Sequence, residues 1–129
     1  MIDFDNAMKR LTKVNGYLGS AVLNYSGETL YIDNDNTSAD IPFSASIFND
    51  AYRMVSESSL DVGFAEAVSL EAKTLDGHVF LINSAGTLAT DNFAKINVFA
   101  IFRDDGNIAL AKMIMDKASK NMSEELSKL

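Results

Sequence analysis

The residues with the spacing of a metal site lie in one acidic stretch. Asp33, Asp35 and Thr37 stand at alternate positions, as the ligands of a calcium-binding loop do. The pattern then fails, because Ser38 occupies the place of the sharp-turn glycine and Ser44 that of the bidentate glutamate. The sequence therefore predicts a solvated acidic loop and no bound metal.

The only histidine and one arginine are the other side chains whose chemistry suits a reactive site. His78 has no cysteine in the chain with which to share a metal, and no paired acid or nucleophile, so we predict a partly exposed residue beside a turn. Arg53 has the chemistry of an arginine that reaches into a GTPase site. Asp50 and Glu57, at helical spacing from Arg53, instead favour a surface salt bridge. We predict no catalytic residue and no cofactor.

A hairpin is predicted around Asp76-Gly77, because a tight turn needs the positive φ that glycine adopts freely. Before the turn, Val68, Leu70 and Ala72 alternate with polar residues, which indicates one buried and one wet face. After the turn, residues 78–83 are almost all apolar, which indicates a strand covered on both faces. The first arm therefore predicts a sheet edge, and an open edge needs something to pair with it.

The segment 41–58 is predicted to be a helix, capped near Asp40 and with Pro42 in its first turn. Its apolar residues are Phe43, Ile47, Phe48, Ala51, Tyr52, Met54 and Val55, with Ala45 at the margin. At about 100° per residue they cover an arc of roughly 200°. Packing on one face of a sheet requires only about 100°. A second apolar partner is the simplest explanation for the excess.

The remaining elements complete an antiparallel fold. A first helix is predicted through Phe4, Ala7, Met8, Leu11 and Val14, ending at Gly16. A second hairpin turns at Ser26-Gly27, a mid-sheet strand covers 95–103, and a last helix follows with a buried stripe from Ile108 to Met122. Strands that follow each other in the chain usually pair. We predict an α/β (α+β) sandwich of one domain, 1–129, with a five-stranded antiparallel sheet and helices on both faces.

Composition excludes several classes of function. The chain has 129 residues and a net charge of −7, which argues against nucleic acid and anionic membranes as partners. It has no cysteine, and therefore no disulfide or thiolate site. No signal-peptide pattern and no apolar run of about 20 residues is visible, so we expect a cytoplasmic protein without membrane insertion.

Three segments resemble the roadblock/dynein light chain family. They are residues 16–23 (GYLGSAVL), 26–30 (SGETL) and 107–112 (NIALAK), which are similar to the family's first hairpin and the start of its last helix. The order of elements is also similar over essentially the whole chain. The resemblance implies homodimers or family heterodimers in which the second helices pair and the third strands join into one sheet. It also implies binding modules, namely regulators of Ras-like small GTPases, motor-complex light chains and scaffolds.

The predicted edge, the broad helix arc and the resemblance lead to one hypothesis, a non-catalytic homodimeric module whose partner is a small Ras-like GTPase. The predicted dimer interface consists of Phe43, Ile47, Phe48, Ala51, Tyr52, Val55, Val68, Leu70 and Ala72. The alternative is a profilin-like or PAS-like sensor domain with a small molecule held between sheet and helix. An enzyme is the third and least supported class.

Overall fold

The computed structural model describes residues 2–34, 37–86 and 95–128. The helices are α1 (Phe4–Met8), α2 (Ile41–Asp61) and α3 (Ile108–Ser127), and a 3₁₀ turn covers Leu11–Lys13. The strands are β1 (Tyr17–Asn24), β2 (Thr29–Asp33), β3 (Ser69–Lys73), β4 (His78–Ala85) and β5 (Ile96–Arg103). This order confirms the predicted sequence of elements. A short extended piece predicted at 87–90 lies outside the described residues.

The five strands form one antiparallel sheet in the order β2-β1-β5-β4-β3. The prediction that the arm before Asp76-Gly77 is an edge strand and the arm after it an interior strand is confirmed. So is the prediction that β5 lies mid-sheet. The predicted fold class, a five-stranded antiparallel sheet with helices, is correct.

Helices cover both faces of the sheet. On one face, α2 packs on Ala21, Leu23, Ile82, Phe99 and Ile101. On the other face, α1, the 3₁₀ turn and α3 enclose a larger core, which includes the opposite side of β5 with Ile96, Val98, Ala100 and Phe102. The residues of β5 therefore alternate between the two faces of the sheet, and each face of the strand contributes to a different core.

The first helix is shorter than predicted. We expected it to continue through Val14, but α1 ends at Met8 and the chain tightens into the 3₁₀ turn. Val14 is already extended, with ψ 136°. The reason is the turn into β1: Gly16 has φ 91°, and a Cβ on it would lie 2.6 Å from the Cα of Gly106. Three of the apolar residues predicted for this helix, Met8, Leu11 and Val14, are nevertheless buried.

The long helices begin at the predicted caps. The Asp40 carboxylate accepts from the Phe43 N–H at 3.1 Å, and the Asn107 side chain accepts from the Leu110 N–H at 3.2 Å. Such caps satisfy amide groups that lack a partner in the first turn. The end of α2 lies later than predicted, at Asp61 rather than residue 58.

Candidate dimerisation surface

The inward side of α2 is defined by Ile41, Ala45, Asn49, Tyr52 and Ser56, all of which are buried. This corrects two sequence-based assignments. Ala45, placed at the margin of the arc, lies in the middle of the buried side. Tyr52, assigned to the dimer interface, is 0% exposed, and its hydroxyl donates to the Ala67 carbonyl at 2.6 Å. Tyr52 therefore has no surface to offer to a second copy.

The opposite side of α2 is apolar and exposed. We call Phe43, Ile47, Ala51, Met54 and Val55 the outer face of α2. At about 100° per residue, they occupy the part of the predicted arc that points away from the sheet or along its flank. Phe43 is 62% exposed and Met54 69%. The excess apolar arc that the sequence indicated is therefore a real exposed surface, of the kind that marks interaction sites.

Phe48 joins the outer face of α2 to the sheet. Its ring stacks on that of Phe80 at 4.3 Å between centroids, and on that of Phe99 at 5.7 Å. It is half-buried, so part of the ring remains available. Because Phe80 lies on β4, next to β3, the flank of α2 that carries Phe48 points toward the edge of the sheet.

The backbone of β3 has a defined open side. The Val68 carbonyl accepts from the Ser84 N–H at 2.8 Å, and the Thr74 N–H donates to the His78 carbonyl at 2.9 Å. In an antiparallel ladder, every second residue bonds to the neighbouring strand. The N–H and C=O groups of Ser69, Glu71 and Lys73 therefore point away from β4; we call them the open edge of β3.

Neither helix has its main sheet contacts with β3. The main contacts of α2 with the sheet are with β1, β5, β2 and β4, and those of α3 are with β4 and β5. On the α2 side, Leu70 and Ala72 are half-buried beside the core, and Val68 is 69% exposed. Apolar side chains thus continue from the outer face of α2 onto the edge strand.

On its α3 side, β3 carries charge. The Glu71 carboxylate forms an ion pair with the Lys112 ammonium of α3. The sequence had not indicated this pair, because Glu71 and Lys112 are far apart in the chain. A cavity of about 130 Å³ lies beside this pair, lined by Ser69, Asn83 and Met115 among others. It is smaller than the ~300–1,000 Å³ of typical small-molecule sites.

Arg53 does not form the predicted salt bridge with Asp50 or Glu57. Its guanidinium instead lies over the Tyr25 ring, 5.1 Å from the centroid, and its Nε is buried. Stacking on an aromatic face competes well with an exposed ion pair, which contributes little. Arg53 as a whole is half-buried, with its guanidinium packed on Tyr25 of the same chain.

A polar cluster beneath α2 was missed by sequence reasoning. The Asn97 amide donates to the Asn49 Oδ1 at 2.7 Å, and both residues are fully buried. The Lys95 ammonium donates to the Ser84 hydroxyl at 3.1 Å and to the Gly86 carbonyl at 3.3 Å. One signal was present in the sequence, since Asn49 interrupts the apolar side of the helix.

The other candidate residues lie apart from this surface. His78 is partly exposed, as predicted, and its Nδ1 lies 3.1 Å from the Asp76 carboxylate. Hydrogen bonds from the Thr74 hydroxyl and then from His78 lower the pKa of Asp76. Arg103 pairs with Asp105 at 3.3 Å. Among the described residues, no group of three or more histidine, aspartate or glutamate side chains is arranged to hold a metal ion.

Three exposed apolar residues at the end of α2 were also missed. Leu60, Val62 and Phe64 are 47%, 70% and 72% exposed. The sequence-based helix stopped before them, so they were not counted with its apolar arc. They follow the outer face of α2 along the chain and precede β3.

Solved structures with the same fold carry the names MglB and Roadblock/LC7. MglB from Myxococcus xanthus is similar with a TM-score of 0.78 and 14% identity, over 99% of this chain and 100% of that one. A Roadblock/LC7 domain from Streptomyces avermitilis has a TM-score of 0.77 and 15% identity, over 98% and 99%. MglB in a tetrameric arrangement has a TM-score of 0.76 and 9% identity, over 95% and 87%.

These similarities confirm the resemblance to roadblock domains at the level of the fold. No family model matches the sequence, and no curated protein matches it. Within the described part of the chain, no helix combines the length and apolar character needed to span a bilayer.

Proposed function

We propose that two copies of this chain form a homodimer through the open edge of β3 and the outer face of α2. The dimer is a non-catalytic binding module of roadblock type, made by the whole chain 1–129, and it regulates or scaffolds a Ras-like small GTPase in the cytoplasm. The observation that carries the proposal is an unpaired sheet edge that adjoins an exposed apolar helix face.

The edge strand supports self-association through backbone chemistry. Exposed N–H and C=O groups along an edge are a template for another strand, and natural proteins usually blunt or cover such edges. β3 has no proline, and neither helix makes its main contacts with the sheet at this strand. An antiparallel copy of β3 would satisfy the open edge of each chain and join two five-stranded sheets into one.

The outer face of α2 supports the same arrangement through the hydrophobic effect. Complete burial of a Phe, Ile, Met or Val side chain contributes about 1.5–3 kcal/mol. Several such residues are needed, because association costs an estimated 4–15 kcal/mol in lost freedom of motion. A second copy related by two-fold symmetry presents the same apolar residues, so each protomer covers the other.

The partner is proposed from the resemblance rather than from any single residue. Roadblock-type modules include regulators of Ras-like GTPases, and MglB in a tetrameric arrangement is among the similar structures. The open interface residues, with Tyr52 removed, are Phe43, Ile47, Phe48, Ala51, Val55, Val68, Leu70 and Ala72. Met54 joins them, since it is exposed on the same face.

The partner is tested by capture on the immobilised protein from the native lysate, with and without added GTP. We expect a nucleotide-binding protein of small-GTPase size, identified by mass spectrometry and by its bound guanine nucleotide. Capture should be lost with a monomeric Ile47→Glu variant and kept with Met113→Glu, because Met113 is also apolar and exposed but lies on α3. Recovery of no nucleotide-binding protein, together with a small metabolite in native mass spectra, would support the sensor alternative.

A further inference from the structure

We infer that the two-fold axis of the dimer passes through Glu71, so that the Glu71 carboxylates of the two copies face each other. Lys112 of each copy compensates these carboxylates. Lys73 of each copy enters the cavity beside the other copy's Ser69. This inference rests on the proposed dimer, and it names the register and the charged residues that the dimer uses.

The hydrogen bonds of β3 restrict the register. Even-numbered residues from Val68 to Thr74 bond to β4, so only odd-numbered residues can bond to a second copy. In an antiparallel pair, residues that exchange hydrogen bonds stand directly opposite each other. Odd residues must therefore face odd residues. The two-fold axis must therefore pass through a residue of β3 and not between two residues. Axes at Leu70, Glu71 and Ala72 are the ones that let more than one residue of the open edge pair.

Both ends of the open edge are closed by the chain itself. The Ala67 N–H donates to the Ser56 hydroxyl at 3.1 Å, and the Ala67 carbonyl accepts from Tyr52. At the other end the chain turns, with the Gly77 N–H bonded to the Thr74 carbonyl at 3.3 Å. Hydrogen bonds between the β3 strands of two copies are therefore limited to Ser69, Glu71 and Lys73.

An axis at Glu71 uses all of these residues. Glu71 then faces Glu71 of the second copy, and Ser69 faces Lys73 on both sides. At two bonds per facing pair, this gives about six interchain hydrogen bonds. An axis at Leu70 leaves Lys73 of each copy without a facing residue, and an axis at Ala72 leaves Ser69 without one. Either axis therefore gives about four interchain hydrogen bonds. Exposed charge pairs contribute little, so the number of backbone bonds decides the register.

Two facing carboxylates would repel each other without compensation. The ion pair between Glu71 and Lys112 supplies that compensation from α3, within each protomer. The axis at Glu71 adds a second cation, because Lys73 of the other copy stands diagonally across from Glu71, within reach of a long side chain. Each carboxylate then has two ammonium groups beside it.

The cavity beside β3 accounts for the position of Lys73 of the second copy. Ser69, Glu71 and Lys73 alternate with the α2-facing Leu70 and Ala72, so their side chains lie on the α3 side of the sheet. The cavity of about 130 Å³ is on that side, with Ser69, Glu71 and Lys112 in its lining. A lysine placed opposite Ser69 meets the serine hydroxyl and the Glu71 carboxylate there.

Single cysteines test the axis, because the native chain has no cysteine. Facing residues of a hydrogen-bonded pair have Cα atoms about 5.5 Å apart, within disulfide range. We expect oxidation to link Glu71→Cys protomers to each other on a non-reducing gel. Leu70→Cys and Ala72→Cys should each fail to link alone, since two residues of offset place their Cα atoms about 8 Å apart. A mixture of these two variants should link.

Other results would separate this inference from the proposed dimer. Efficient linking of Leu70→Cys alone, or of Ala72→Cys alone, would move the axis and overturn the inference while keeping the dimer. A dimeric protein in which no cysteine links would exclude β3 from the interface. A monomeric native protein would refute the proposed function itself.

A charge reversal tests the role of Lys112 separately. Lys112→Glu turns each attraction between residues 71 and 112 into a repulsion and places four carboxylates beside the axis, so we expect the dimer dissociation constant to rise roughly tenfold. Lys120→Glu is the matched control on the same helix, where Lys120 pairs with Asp116 away from β3. Equal dissociation constants for the two variants, with unchanged circular dichroism, would show that Lys112 does not act at the contact between the two β3 strands.

Discussion

At the scale of single residues, the buried Tyr17 is the clearest case in which the environment changes the chemistry of a side chain. Its hydroxyl donates to the Asp33 carboxylate at 2.6 Å and lies 2.7 Å from the Ser20 hydroxyl. Burial first, and the bond to Asp33 second, raise the pKa of Tyr17. The pair fixes the start of β1 to the end of β2.

This pKa shift predicts the alkaline limit of stability. A raised pKa means that the unfolded chain loses the phenol proton first, so the contribution of Tyr17 is complete below pH ~10 and is lost as the pH rises further. We expect Tyr17→Phe to destabilise the fold by about 1 kcal/mol at pH 7. The difference from the native chain should shrink above pH ~10 in urea denaturation. A constant difference from pH 7 to 11 would contradict the assignment.

The buried amide pair gives a second prediction at this scale. Asn49→Ala leaves the Asn97 amide without its partner under α2, which costs about 1–3 kcal/mol in the free energy of unfolding. The double variant Asn49→Ala/Asn97→Ala should lose less than the sum of the single changes, because the unpaired group is then absent. Strict additivity in thermal or urea unfolding would show that the two residues are not coupled.

At the scale of elements, α2 shows both what can be predicted from the sequence and what cannot. Its existence, its cap at Asp40 and its two-sided apolar arc were predicted from spacing alone. Which residues of that arc are buried and which are exposed was not predicted correctly. Periodicity locates apolar residues on the helix but does not say which of them face the sheet. The inward side includes the polar residues Asn49 and Ser56. The residues of the exposed side are therefore the more hydrophobic of the two sets.

The other element-scale differences have causes that are distant in the sequence. The early end of α1 follows from the close approach of Gly16 to Gly106, a contact between positions far apart in the chain. The pairing of Glu71 with Lys112 joins an edge strand to a helix, which no spacing rule connects. Strand alternation, by contrast, was predicted well, because it depends on neighbouring residues only.

The outer face of α2 gives the element-scale prediction. Ile47→Glu places a carboxylate in an apolar contact, where an unpaired buried charge costs about 3 kcal/mol or more, equivalent to a ~100-fold rise in the dissociation constant. The fold should remain, since Ile47 is exposed in the protomer. Met113→Glu, on α3, should leave the dissociation constant unchanged. Sedimentation velocity across a concentration series measures both, and equal behaviour of the two variants would exclude this face of α2.

Phe48 is less suitable for the same test. A charge at this position would break its stack with Phe80 and Phe99, so loss of the dimer and loss of the fold would be confused. This is a consequence of its half-buried position. The sequence could not distinguish this position from that of Ile47, the preceding residue, which lies about 100° away on the helix.

At the scale of the molecule, the order of elements was sufficient to predict the architecture. The two hairpins, the interior position of β4 and β5 and the helices on both faces were predicted, and the sheet order and the two cores confirm them. The pairing of β1 with β5, which are far apart in the chain, was not predicted. The structural similarities show the same fold at 9–15% identity. Assembly and partner are properties of surfaces, and surfaces tolerate changes that cores do not, so they remain proposals.

The mass of the native protein in solution tests the central claim most directly. Light scattering coupled to size exclusion, over a range of micromolar concentrations, should give twice the 14.0 kDa mass of the chain. The open edge of β3 and the outer face of α2 both require this result. A mass of one chain at high micromolar concentration would contradict the account, because both surfaces would then face water.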